Sequence, residues 1–121
     1  SFTNSFIPGL FAPENRDRFS NDITELKNRA MEIRPEAIIA ALDGMKSRKN
    51  HEETLSGLSI PALFIIGAED SRVNIPDIMK QVQLPVESHL LYLKKCGHMG
   101  YIEARDETLK FVESFVWHCN R

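Results

Sequence analysis

Cysteine is scarce in this chain of 121 residues, which holds only Cys96 and Cys119. Because the two lack a C-x-x-C spacing, the sequence indicates neither a disulfide scaffold nor a zinc site built on thiolates. We therefore expect a reducing compartment, the cytoplasm, with neither a cofactor nor a metal. Long apolar runs are also lacking, since none approaches the roughly 20 residues that span a bilayer, and we expect no membrane partner.

A charge excess of either sign is missing as well. Fifteen Lys and Arg residues face 17 Asp and Glu residues, for a net charge of −2, so a nucleic-acid partner is not expected. The single basic cluster, Lys46, Arg48 and Lys49, is read as a solvated helix end. The chain contains no internal repeat, and its length fits one compact domain. Because Ser1 is not a natural initiator, we expect a piece of a longer protein or a processed chain.

The first third of the chain predicts a loop followed by a helix. Residues 1–12 are expected to form a loop with a turn at Pro8-Gly9. A helix is expected to begin at Pro13 and to stop at Arg34, before a second proline. Its apolar residues follow a helical period, at Phe19, Ile23, Leu26, Ala30 and Ile33.

A second helix is expected to start at Pro35. Its apolar stripe falls at i, i+3, i+4 and i+7, at Ile38, Ala41, Leu42 and Met45. The polar residues 47–54 that follow are predicted to be a linker or the frayed end of this helix.

Residues 61–121 predict a strand, a helix, a strand and a helix. Ala62–Ile66 is almost wholly apolar, as in a strand of a parallel sheet covered on both faces. Asn74 can cap the next helix, and a second strand is expected over Val86–Leu93. The connecting helix implies parallel strands with a right-handed crossover. The last helix is expected to begin near Asp106, with one apolar side at Leu109, Val112, Val116 and Cys119, widened by Phe111 and Phe115.

Asp70 and His98 follow the two predicted strands, four and five residues beyond Ile66 and Leu93. Ligands of open α/β sheets bind beyond the carboxyl ends of the strands, so a carboxylate and an imidazole can meet there. A carboxylate on one ring nitrogen leaves the other free to accept a proton from a nucleophile. Two plainer interpretations stay open: Asp70 as a turn or cap residue and His98 as an ordinary loop histidine.

Two stretches resemble the α/β-hydrolase family: I-P-A-L-F-I-I-G-A-E-D at 60–70 and G-H-M-G-Y-I-E at 97–103. The resemblance, closest to serine esterases, implies a C-terminal fragment with a partial α/β-hydrolase fold. It implies that Asp70 is the acid and His98 the base of a catalytic triad. It also implies that residues 1–55 are the helical cap and the helix returning from it, and that 56–121 hold the last two core strands.

The sequence departs from this family in lacking a G-x-S-x-G nucleophile elbow. The nearest match, residues 57–61, ends in Pro61 and precedes a strand. This chain alone is therefore expected to be inactive, and a parent enzyme is expected to hydrolyse a small ester or amide. A dehalogenase or epoxide hydrolase with an Asp nucleophile, and a non-catalytic α/β interaction module, stay open as alternatives.

Several other residues receive secondary interpretations. Val73 and Met99 flank the pair and could line the substrate pocket or pack in the core. Cys96 is a weak alternative nucleophile, and Glu103 is expected to give electrostatic support near the last helix. The remaining histidines are read as structural or solvated, at His51, His89 and His118.

An isolated pair of parallel strands has two unpaired edges. We expect these edges to be buried by self-association or by pairing with the missing N-terminal half.

Overall fold

A computed structural model of the chain describes residues 2–121, without the side chain of Phe2. Two short 3-10 turns lie at Pro8–Leu10 and Pro13–Asn15. The helices are α1 (Phe2–Phe6), α2 (Ser20–Glu32), α3 (Pro35–Ser47), α4 (Glu52–Ser56), α5 (Ile75–Val82), α6 (Gly100–Glu103) and α7 (Arg105–Cys119), and the strands are β1 (Ala62–Gly67) and β2 (Ser88–Leu93).

The two strands pair in parallel, from Ala62 opposite Ser88 to Gly67 opposite Leu93. Helix α5 connects them, and the side chain of Asn74 caps it by accepting a hydrogen bond from the backbone N–H of Asp77 at 3.0 Å. This confirms the predicted order of strand, helix, strand and helix with parallel strands. It also places the carboxyl ends of both strands at the same edge of the sheet.

Strand β2 is shorter than predicted, since it begins at Ser88 and not at Val86. The ladder starts where Ala62 donates its N–H to the carbonyl of Glu87 at 3.0 Å. Pro61, which directly precedes β1, has no N–H to donate, so the pairing of β1 with β2 cannot extend toward Val86. Val86 is consequently left 89% exposed.

The prediction of a loop over residues 1–12 was wrong, since α1 and the first 3-10 turn occupy this segment. Its apolar residues recur at a helical spacing, which the Pro8-Gly9 turn signal obscured. Ile7, Phe11 and Ala12 are buried. Ile7 and Phe11 form a core cluster with Ile23 of α2 and with Met99 of the loop after β2.

Helix α2 begins at Ser20 and not at Pro13. Pro13–Asn15 forms a separate 3-10 turn because the side chain of Asn15 donates to the carbonyl of Lys95 and to Glu103, both at 2.8 Å. These bonds hold the turn against the loop after β2. The predicted end of the helix before Pro35 agrees with α2, which ends at Glu32.

Helix α3 begins at Pro35 as predicted, but its apolar stripe is exposed, with Leu42 at 56% and Met45 at 68%. None of the described residues therefore buries this apolar stripe. The last residues of the predicted linker belong to the short helix α4. Before this helix, the side chain of Asn50 accepts a hydrogen bond from the N–H of Glu52 at 2.8 Å.

Helix α7 begins at Arg105, one residue before the predicted start, after a short helix α6 that was not predicted. Of the predicted apolar side, Phe111 packs against the cluster of Leu91, Leu93 and Cys96. Leu109 and Val116 are each 52% exposed and Cys119 is exposed, so the buried side is narrower than predicted.

Within residues 2–121, no helix has the length and apolarity that crossing a membrane would require.

Candidate active site

Asp70 lies in the turn that leaves β1. Its N–H donates to the carbonyl of Gly67 at 3.2 Å, and its Oδ1 accepts a hydrogen bond from the N–H of Arg72 at 2.8 Å. The second bond is the Asx-turn geometry that Asp adopts readily after a strand. Because Oδ1 is held by the backbone, Oδ2 points in a fixed direction, and only 8% of the side chain is exposed.

His98 lies in the loop that leaves β2, and its Nδ1 is 2.8 Å from Oδ2 of Asp70. Its backbone N–H donates to the carbonyl of Leu10 at 2.7 Å, which fixes the loop from the opposite side. The imidazole ring is 45% exposed. The structure therefore brings together Asp70 and His98, which the sequence placed at the ends of successive strands.

This contact decides which ring nitrogen of His98 is available for chemistry. A carboxylate can only accept, so Nδ1 carries the proton of the bond and Nε2 is left with its lone pair. Among the described residues, no hydrogen bond reaches Nε2, and 45% of the side chain is exposed. The arrangement can accept a proton from a nucleophile brought to Nε2 and return it to a leaving group.

Glu103 is the residue of this site whose role the sequence did not indicate. The sequence predicts only electrostatic support near a helix start, whereas the side chain is buried, with the residue 6% exposed. Its carboxylate accepts hydrogen bonds from the N–H of Gly97 at 2.8 Å, the N–H of Ala12 at 3.2 Å and the amide of Asn15 at 2.8 Å. Its only local signal is its position directly after the run Met-Gly-Tyr-Ile, and a carboxylate is rarely buried unless it is paired.

The N-terminal segment contacts both site loops. Ser71 donates its hydroxyl to the carbonyl of Gly9 at 3.1 Å. The guanidinium of Arg72 lies 4.3 Å above the ring of Phe6, a cation–π contact. Together with the bond from His98 to Leu10, these contacts tie the loops after β1 and β2 to one segment.

The two loops also touch each other through glycine. A Cβ atom added to Gly67 would lie 2.0 Å from the carbonyl oxygen of Gly97 and 2.6 Å from that of Cys96. Only a residue without a side chain allows this backbone approach. The separation of Asp70 and His98 thus depends on glycine at the end of β1.

A cleft of about 310 Å³ adjoins the pair. Its lining includes Asp70 and His98 with the apolar side chains of Ile66, Val73 and Ile78. Of the two candidate pocket residues, Val73 lies in this cleft. Met99 lies in the core cluster with Ile7, Phe11 and Ile23.

Cys96 is buried, and its pKa is raised to about 11, first by burial and then by the nearby carboxylates, with Glu103 the largest of these. Because the thiolate and not the thiol is the nucleophile, this environment disfavours the alternative in which Cys96 attacks a substrate.

We expect iodoacetamide at pH 8 to modify Cys119 and to leave Cys96 unmodified in the folded protein. The raised pKa keeps Cys96 as the neutral thiol at this pH, whereas Cys119 is exposed. Peptide mass mapping after labelling measures both sites, and labelling in urea serves as the control in which both should react. Equal labelling of the two in the folded protein would contradict the burial of Cys96.

The fold is that of part of an α/β-hydrolase, as solved structures show. The chain superposes with a TM-score of 0.90 on a thermophilic esterase from Thermogutta terrifontis, at 18% identity over 98% of this chain and 44% of that one. It superposes with 0.81 on an esterase from Rhodococcus sp. ECU1013, at 23% identity over 97% and 41% of the chains. A bromoperoxidase from Bacillus anthracis gives 0.82, at 19% identity over 95% and 42%.

These comparisons confirm the predicted partial α/β-hydrolase fold. The chain spans less than half the length of the solved structures that it matches. Searches of protein-family models and of curated protein sequences give no match.

Proposed function

We propose that this chain supplies the acid and the base of an esterase-type hydrolase, with Asp70 as the acid and His98 as the base. The observation that carries this proposal is the 2.8 Å contact between His98 Nδ1 and Asp70 Oδ2 beyond the carboxyl ends of two adjacent parallel strands. The fold supports it, since two of the solved structures described above are esterases.

The nucleophile of the proposed triad comes from a part of the protein outside this chain. No hydroxyl of the described residues hydrogen bonds to His98, and the hydroxyl of Ser71 is directed to the carbonyl of Gly9. A serine brought to Nε2 of His98 would lose its proton as it attacks the ester carbonyl. The acyl-enzyme formed with loss of the alcohol would then be hydrolysed by water activated by the same nitrogen. This chain alone is expected to be inactive.

The substrate class follows from the cleft beside the pair. With a volume of about 310 Å³ and apolar lining from Ile66, Val73 and Ile78, it suits the acyl or alcohol part of a small ester. An amide is the harder substrate for the same chemistry. We place the enzyme in the cytoplasm on the basis of two free cysteines.

We further propose that residues 1–55 form the cap and the helix returning from it, and that residues 56–121 belong to the core. The exposed stripe of α3, with Leu42 and Met45, supports a role for this helix in covering another part of the protein. Within the described residues, β1 and β2 pair only with each other. Their outer edges are thus available to the rest of the core, or to a second copy of this chain.

We expect His98→Ala, made in the complete protein that carries these residues, to lower kcat for a short-chain p-nitrophenyl ester by about 10⁴-fold or more. Asp70→Asn should lower kcat by about 10⁴-fold, because the amide no longer holds the imidazole in the required tautomer. In both variants KM should change little, since the pair acts in the transition state. Steady-state ester hydrolysis measures these values.

His51→Ala is the matched control, because His51 is exposed and lies in the segment before α4. It should retain full activity. Circular dichroism should show that all three variants are folded. A folded His98→Ala variant with normal ester hydrolysis would overturn the proposal, and loss of a binding partner without loss of hydrolysis would favour the non-catalytic module.

A further inference from the structure

A second cluster of titratable side chains lies at the opposite end of β2. Glu87 precedes the strand, His89 is its second residue, and His118 lies in the last turn of α7. Nε2 of His89 lies 2.7 Å from Oε1 of Glu87, and Nε2 of His118 lies 2.5 Å from the same oxygen. With a rise of about 3.3 Å per residue along β2, this cluster is on the order of 15 Å from His98.

The local structure explains why these three side chains converge. Residues i and i+2 of an extended segment point to the same face, so Glu87 and His89 share the face that α7 covers. On α7, Phe111, Phe115 and His118 follow a helical period, and Phe111 packs against the sheet. The ring of His89 contacts Phe115 edge-on at 5.2 Å and lies 4.8 Å from the ring of His118, centroid to centroid.

We propose that Glu87, His89 and His118 bind a divalent transition-metal cation, with Zn²⁺ as the representative. Their three ligand atoms lie within 4.8 Å of one another. Two imidazole nitrogens and one carboxylate oxygen form a known zinc ligand set that leaves the fourth position to water. Metal–ligand distances of about 2.0–2.2 Å require the ligand atoms to lie about 3.3 Å apart. The contacts of His89 and His118 with Oε1 of Glu87 would therefore each lengthen by less than about 1 Å.

The charges of the cluster favour a cation. Glu87 accepts a hydrogen bond from each of the two imidazoles, so its carboxylate is the anionic ligand at the centre of the cluster. Binding would replace the two N–H···O bonds to Glu87 by bonds to the metal, and each Nε2 would have to give up its proton. Part of the cluster is shielded from water, since the side chains of His89 and His118 are 30% and 33% exposed.

Arg121 opposes binding in a way that can be tested. Its guanidinium donates to Nδ1 of His118 at 3.0 Å and lies 4.6 Å above the ring of Trp117. Because a guanidinium can only donate, Nδ1 of His118 is the acceptor in this arrangement and the proton is on Nε2. When a metal is bound to Nε2 of the neutral imidazole, the proton is on Nδ1, which then cannot accept a hydrogen bond. Arg121 must therefore move away before His118 can bind the metal.

We expect isothermal titration of the protein with Zn²⁺ at neutral pH to give one saturable site. Glu87→Gln and His118→Asn should each weaken binding by more than about 100-fold, beyond the 10- to 100-fold losses caused by outer hydrogen-bonding partners of metal ligands. Arg121→Gln should strengthen binding several-fold, because the competing donor and its positive charge are removed. Co²⁺ in place of Zn²⁺ should give a visible absorption spectrum of tetrahedral type that is lost in Glu87→Gln.

Two control variants separate this site from other histidines. His51→Asn and His98→Asn should bind Zn²⁺ as the unaltered protein does. Absence of a saturable site, binding by Glu87→Gln or His118→Asn as tight as that of the unaltered protein, or loss of binding in His98→Asn would each overturn the proposal. Glu87 is an exposed side chain and its replacement by Gln conserves size, so this variant decides the question even where His118→Asn fails to fold.

Discussion

Gly67→Ala is expected to destabilise the native structure of this protein severely. The new Cβ would lie 2.0 Å from the carbonyl oxygen of Gly97, whereas a carbon and a carbonyl oxygen in contact are about 3.3 Å apart. The opposing atoms are backbone, so no side chain can rotate away. Gly97 cannot move away either, because the backbone of Leu10 packs closely against it: a Cβ atom added to Gly97 would lie only 2.7 Å from the carbonyl oxygen of Leu10. We expect a loss of more than about 4 kcal/mol in the free energy of unfolding, a large part of the total stability of a small domain.

Gly44→Ala is the matched control for this substitution. Gly44 lies in α3, and a Cβ added to it would meet nothing within 4 Å. Alanine there should raise the free energy of unfolding by about 0.5–1 kcal/mol, since glycine is the poorer helix former. Urea unfolding followed by circular dichroism measures both variants. A Gly67→Ala protein with the urea midpoint of the unaltered chain would show that the two loops are not in backbone contact.

Glu103→Ala should give the second large effect, a loss of at least about 3 kcal/mol in the free energy of unfolding. The substitution leaves three N–H groups without their acceptor: those of Gly97 and Ala12, and the one N–H of the Asn15 amide that does not face Lys95. Each unsatisfied buried donor costs about 1–3 kcal/mol. Because Gly97 precedes His98, the variant should also displace the imidazole from Asp70.

Two further variants test whether the lost hydrogen bonds cause the destabilisation expected for Glu103→Ala. Glu103→Gln retains the shape and one acceptor oxygen, but its NH₂ group must face an N–H donor, so we expect an intermediate loss of about 1–2 kcal/mol. Glu107→Ala, at an exposed position of α7, should change the free energy of unfolding by no more than about 0.5 kcal/mol. Equal urea midpoints for Glu103→Ala and Glu107→Ala would contradict the role given to Glu103.

The sheet and the pair at its edge could be predicted because their signals are local. The apolar run at Ala62–Ile66, the cap at Asn74 and the position of Asp70 and His98 after two strands are each readable within about ten residues. Parallel pairing then brings the strand ends together whatever the rest of the chain does. The contact of 2.8 Å follows from this topology.

The features that could not be predicted depend on residues far apart in the sequence. Glu103 is defined by its partners Ala12 and Asn15, 91 and 88 positions away. On α7, periodicity favoured Leu109 and Val116, but the sheet covers Phe111 and leaves these two residues half exposed. The Glu87, His89 and His118 cluster was missed for the same reason, since a helix end and a strand start become neighbours only through packing.

The bonds from Leu10, Ala12 and Asn15 to the loop after β2 have a kinetic consequence. Each joins positions separated by 80 residues or more, so the chain must close a very long loop before any of them forms. Such contacts raise the contact order and slow folding. A single short helix joins the two strands, but Asp70 and His98 acquire their final alignment only when residues 10–15 dock onto the loop after β2 and onto α6.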